Sequence, residues 1–76
     1  MSFWLGVEGH TDSDGDNDSN QNLSEERAKA VMNKLIDMGI SADRLTSKGF
    51  GESVPIDNNS TIEGKANNRR VEFVKI

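Results

Sequence analysis

Residues 9–28 read GHTDSDGDNDSNQNLSEERA, and dividing this stretch into loop and helix decides the fold. Ahead of it, Phe3 to Glu8 alternates as a strand does, with Phe3, Leu5 and Val7 on one face and Trp4 and Glu8 on the other. Trp4 is read as half-buried packing. Gly9 ends the strand. Residues 10–22 hold four Asp, three Asn and no apolar side chain, a turn-forming composition that predicts a loop. From Leu23 to Met38 the spacing becomes helical, with Leu23, Ala28, Val31, Met32, Leu35 and Ile36 on one stripe. Asn22 is a good N-cap, and Glu25 three residues on completes a capping box. Glu25 and Glu26 also suit the positive end of the helix dipole. Gly39 stops the helix, and Ile40 can supply the apolar contact of a Schellman ending.

The remaining chain reads as shorter pieces. Ser41-Ala42-Asp43 is a turn, and Arg44 to Phe50 a second strand. Gly49, Gly51 and Pro55 break the pattern, and Asp57-Asn58-Asn59 is loop. Ser60 with Glu63 makes another capping box, so a short helix is expected over Thr61 to Asn67. Arg70 to Ile76 is the last strand, with Val71 and Phe73 on one face and Arg70, Glu72 and Val74 on the other. The order strand, helix, strand, short helix, strand predicts an α/β two-layer sandwich forming one domain over residues 1–76. The first two strands, joined by the long helix, should run parallel with a right-handed crossover.

Composition narrows the classes. With 76 residues, 33% hydrophobic and 5% aromatic, the core is small and either marginal or completed from outside the chain. A net charge of −4 argues against a nucleic-acid module, which carries a basic face. The lack of Cys excludes thiol catalysis and Cys-ligated zinc. No apolar run reaches membrane-spanning length. Met1-Ser2-Phe3-Trp4-Leu5 has no basic n-region and is not a signal peptide, so any export signal lies outside this sequence.

Three groups invite chemistry. Asp14, Asp16 and Asp18 with Glu25 stand at positions one, three, five and twelve of an EF-hand loop. Ser19 occupies the sixth position, where the sharp turn needs Gly, and no helix precedes; a solvated acidic loop is the plainer account. His10 is the only His, and beside a strand end it reads as a hydrogen-bonded structural residue rather than a catalyst or metal ligand. Asp12 and Arg27 stand at the end of one element and the start of the next, where ligands bind in α/β folds. A carboxylate and a guanidinium can hold a zwitterion, Asp12 taking the ammonium and Arg27 forking the carboxylate. An ion pair across the loop is the equal alternative. Of Arg69 and Arg70, adjacent on a strand, one can face this site while the other points away.

These residues, taken together, resemble the OmpA-like domains. The resemblance rests on Gly9-His10-Thr11-Asp12, Gly15, Asn20, Leu23-Ser24, Arg27-Ala28, Gly39-Ile40, Arg44-Leu45, Gly49-Phe50-Gly51-Glu52, Pro55, Asn59, Gly64 and Asn67-Asn68-Arg69-Arg70-Val71-Glu72. It covers nearly the whole chain from Val7 onward. It implies a periplasmic, outer-membrane-associated module that binds peptidoglycan non-covalently and is not an enzyme, with no cofactor. It implies that Asp12 and Arg27 grip the diaminopimelate of the stem peptide, with Asn20 and Arg69 as further pocket residues. Lys65 departs from the Arg that often follows the family's Gly. The family's domain also begins earlier, so the resemblance implies an OmpA-like β-α-β-α-β core lacking the family's first strand and helix. An unpaired strand edge and an uncovered apolar face follow from that, and with them an expectation of homo-oligomers, formed by element swapping, and of weakened ligand binding.

Overall fold

Three strands and two α-helices alternate through residues 4–76, the part of the chain that the computed structural model describes. Phe3, expected on the same face of the first strand as Leu5 and Val7, lies outside the described residues. Strand β1 (Leu5–His10) is central, with β2 (Leu45–Gly49) parallel on one side and β3 (Arg70–Lys75) antiparallel on the other. Helix α1 (Asn17–Asp37) crosses between the two parallel strands, and α2 (Ile62–Asn68) precedes β3. The predicted α/β order is therefore the observed one. A 3₁₀ turn over Ala42–Arg44 leads into β2, which starts at Leu45 rather than Arg44.

The long helix starts earlier than its apolar pattern implies. Asp16 is the N-cap; its carboxylate accepts from the Ser19 backbone N–H at 3.1 Å, and residues 17–22 are helical rather than loop. Asp caps as well as Asn does, and the earlier cap wins because the extra turns gain tertiary contacts. The capping box at Asn22 and Glu25 is not formed. Gln21 lies inside the helix, donating to Glu25 Oε1 at 3.1 Å and to the Gly49 carbonyl at 2.6 Å.

The buried side of α1 also differs from the expected stripe. Asn20, Ser24 and Ala28, each four residues from the last, face the sheet, while Leu23 is 39% exposed. Val31, Met32, Leu35 and Ile36 continue the inner side half-buried. The small and polar inner residues suit very close packing. A Cβ on Gly9 would lie 2.2 Å from the Ser24 carbonyl oxygen, and one on Gly49 would lie 2.4 Å from the Glu25 nitrogen. Only glycine lets the ends of β1 and β2 come this near the helix. The far end closes as expected. Ile40 N–H bonds to Leu35 O at 3.1 Å and Gly39 N–H to Ile36 O at 3.0 Å, the two bonds of a Schellman motif.

Helix α2 is capped by Thr61, whose hydroxyl accepts from Gly64 N–H at 2.9 Å; Ser60, the expected cap, stands one residue too early. The apolar core is as small as the composition implies: Val7, Ala28 and Leu45 are the buried hydrophobic residues among those described. Helix α1 lies over β1 and β2. Phe73, on the same face but on β3, is 55% exposed, and Trp4 is exposed rather than half-buried.

Candidate functional site

The end of β1 passes into a short loop, residues 11–16, packed between the start of α1 and the end of α2. Its backbone is fixed first. Thr11 N–H donates to Gly51 O at 2.8 Å and Phe50 N–H to Gly9 O at 2.9 Å, continuing the β1–β2 pairing beyond the strands. Gly51 N–H in turn donates to the buried hydroxyl of Ser24 at 2.8 Å. Asn20 reaches from the first turn of α1, its side-chain amide donating to Asp14 O at 2.9 Å and Asp12 O at 3.4 Å. Asn20 thus clamps the loop that presents Asp12, which gives the expected pocket residue a positioning task.

Asp12 is 6% exposed. Its Oδ1 accepts from Asp14 N–H at 3.0 Å, and its Oδ2 accepts from Arg69 Nη1 at 2.7 Å. Burial pushes its pKa up. The Arg69 hydrogen bond, the Asp14 N–H and the charges of Arg69 and Lys65 outweigh burial and hold the carboxyl below the usual range. Asp12 is therefore a fixed anion at neutral pH. Each oxygen has one protein partner here and keeps acceptor capacity for another donor.

Arg69 is placed by its neighbour. Asn68 at the end of α2 is fully buried, with all its side-chain hydrogen-bonding groups engaged. Its Oδ1 accepts from Ile56 N–H at 2.8 Å and Asp57 N–H at 3.0 Å. Its Nδ2 donates to Asp57 O at 3.0 Å and Asn59 Oδ1 at 2.8 Å. Asn59 Oδ1 also accepts from Ser13 N–H at 3.3 Å, tying this network to the Asp12 loop. Arg69 is the C-cap of α2 rather than a strand residue, and it turns toward Asp12. Arg70, the first residue of β3, points away and bonds Glu72, Asn68 O and Val54 O. Beyond an Asn directly before the two arginines, little in the sequence signals the structural weight of Asn68 and Asn59.

Arg27 does not pair with Asp12, so the alternative of an ion pair between them is not what forms. The arginine is half-buried, and no salt bridge or hydrogen bond to its guanidinium is found among the described residues. It lies two helical turns beyond Asn20 on the same side of α1, and helical side chains lean toward the N-terminus, here toward the Asp12 loop. The site therefore holds a braced anion and an arginine committed to it, while Arg27 stands on the α1 side that carries Asn20 with its guanidinium unpaired among the described residues.

The other candidates separate from this site. Asp16 is a helix cap, Asp18 and Glu25 lie within α1, and Asp14 pairs with Lys65 Nζ at 3.0 Å. Most of the twelve-residue window is helical, so it cannot wrap a calcium ion as an EF-hand loop does. His10 is buried, but the hydrogen bond expected of it is not formed. Its ring stacks on Phe50 at 5.2 Å, and both nitrogens lack a partner. Burial, helped by the charge of Arg70, lowers its pKa against the opposing pull of Glu72 and Glu8.

Known proteins share the sequence pattern and fold of this chain. Residues 4–69 match the OmpA family. The probable lipoprotein YiaD of Escherichia coli (strain K12) is 50% identical over 69 residues, covering 91% of this chain and 32% of that protein. Outer membrane porin F of Pseudomonas aeruginosa is 52% identical over 67 residues, covering 87% of this chain and 19% of that protein. The crystal structure of the peptidoglycan-associated lipoprotein from Burkholderia pseudomallei aligns with a TM-score of 0.94 at 26% identity, over 97% of this chain and 63% of that one. The chain thus spans about a third and a fifth of the length of the two curated relatives.

Proposed function

The chain belongs to the OmpA family, and on that premise we propose that it binds the stem peptide of peptidoglycan through diaminopimelate, without covalent chemistry. The observation that carries this reading is the buried Asp12, held charged by Asp14 N–H and Arg69, with Arg27 uncommitted on the side of α1 that carries Asn20. The end of diaminopimelate is an amino acid head group. Its ammonium finds the spare acceptor capacity of Asp12, and its carboxylate finds the guanidinium of Arg27. Asn20 holds the loop, and Arg69 keeps Asp12 charged. The name of the Burkholderia pseudomallei relative supports peptidoglycan as the partner, and those of the other two support a periplasmic setting beside the outer membrane. Nothing in the site performs a reaction in this scheme; binding tethers one surface to another. Titration with diaminopimelate should show saturable binding that Arg27→Ala and Asp12→Ala each remove. Equal binding by the parent and both variants rejects the assignment.

A second reading, association between copies of the chain, is favoured by the sheet. Among the described residues the outer edges of β2 and β3 have no strand partner, and Phe73 and Trp4 lie exposed. Light scattering should give a mass above that of one chain, rising with concentration. A monomer at every concentration rejects association.

A further inference from the structure

The sheet face turned away from α1 carries a cluster that the ligand site does not use. Alternation along β1 sends Glu8 and His10 to this face, and the antiparallel register sets Glu72 opposite Glu8 and Arg70 opposite His10. We propose that Glu8, His10 and Glu72 form a binding site for a divalent transition metal, with zinc the best-fitting ion.

One donor atom from each of the three residues lies within 4.8 Å of the other two. His10 is 2% exposed, yet neither ring nitrogen has a hydrogen-bond partner. Buried polar atoms are nearly always satisfied, so an imidazole with both nitrogens unmet asks for a partner. Its Nε2 stands 3.9 Å from Glu72 Oε2. Tetrahedral zinc ligands bonded at about 2.0–2.2 Å stand roughly 3.4 Å apart, so a side-chain shift of about half an ångström brings this pair to bonding separation. The ring cannot easily turn elsewhere, because it stacks on Phe50 with planes 6° apart.

The donor set selects the ion. One imidazole and two carboxylates suit zinc, which accepts nitrogen and oxygen and leaves a fourth position for water. Magnesium and calcium prefer oxygen donors alone, and more of them. Glu8 is half-buried and the Glu72 side chain is 43% exposed, so an ion has access from solvent. Two cations temper the site. Arg70 Nε donates to one lone pair of Glu72 Oε2 and leaves the other for a metal, while its Nη2 is held by Val54 O at 2.9 Å. Lys48, the β2 neighbour of Glu8, sits over the Phe50 ring at 4.9 Å. An ion here clamps β1 to β3 and reinforces a sheet with little apolar core beneath it.

Zinc chloride titrated into the whole chain by calorimetry, with thermal unfolding in parallel, tests the site. The expected result is one zinc per chain. At about a hundred times its dissociation constant, zinc raises the unfolding midpoint by roughly 10 °C or more, and magnesium does not. The double variant Glu8→Gln/Glu72→Gln, which preserves size and is checked for folding by circular dichroism, loses both effects. In the parent, zinc shifts the His10 Nε2 resonance. No saturable zinc binding by the parent overturns the proposal. So does a folded double variant that binds zinc as the parent does, since the acidic residues Asp14, Asp16 and Asp18 then account for it.

Discussion

Replacing Asn68 by Ala tests how the site is held. The side chain is fully buried and makes four hydrogen bonds, to Ile56 N–H, Asp57 N–H, Asp57 O and Asn59 Oδ1. A buried hydrogen bond of this kind contributes about 1 kcal/mol net, and groups left unpaired in the interior add to the loss. Asn68→Ala should therefore cost about 3–4 kcal/mol. A 76-residue domain has only roughly 4–11 kcal/mol in total. For a domain of this size the loss lowers the unfolding midpoint by roughly 12–30 °C. Asn68→Asp makes a sharper control. It keeps an oxygen for the Ile56 and Asp57 N–H groups but turns a second oxygen toward Asp57 O and Asn59 Oδ1, so it should destabilise at least as much. Urea unfolding with unchanged m-values gives the difference directly. A cost below about 1 kcal/mol for Asn68→Ala would mean that water replaces the network, and the account of how Arg69 is aimed at Asp12 would fail.

Other expectations follow from the same packing. Gly9→Ala places a methyl 2.2 Å from a helix carbonyl and should cost several kcal/mol by denaturant unfolding, about 3 or more, because backbone must move. Asp16→Ala should cost about 1 kcal/mol in thermal stability through loss of the N-cap, while Asn22→Ala should change little. Asp12 has its pKa lowered in the folded chain, so its contribution is complete above the ordinary value of 3.8 and is lost as pH falls through the folded value below it. Acid titration of unfolding stability should show that fall, and Asp12→Asn should flatten it.

The order of elements was legible because each carries its own period. Alternation marked β1 and β3, the 3.6-residue stripe marked the second half of α1, and Gly39 with Ile40 marked its end. What the stripe could not show was the first part of α1. Residues 17–22 are polar throughout, and their helical state comes from the Asp16 cap and from Asn20 and Gln21 reaching across to neighbouring backbone. Local composition favours loop there; tertiary bonding overrides it. The same limit hid the Asp12–Arg69 pair, whose partners are far apart in sequence and meet only when α2 packs beside the β1 loop. Asp12 stood out from its place at a strand end, whereas the burial of Asn68 depends on which loop folds over it. His10 shows the opposite case. Its place at a strand end suggests a hydrogen-bonded ring, yet both nitrogens are without a partner, because the residues packed around it are set by tertiary contacts such as the Phe50 stack.

The central claim is that Asp12 and Arg27 grip one zwitterionic head group, and calorimetric titration with diaminopimelate tests it most directly. The account predicts one saturable site in the parent chain and none in Arg27→Ala or Asp12→Ala, with Arg27→Ala keeping its fold because that guanidinium supports nothing else among the described residues. A folded Arg27→Ala that binds as tightly as the parent, or a parent that does not bind at all, contradicts it.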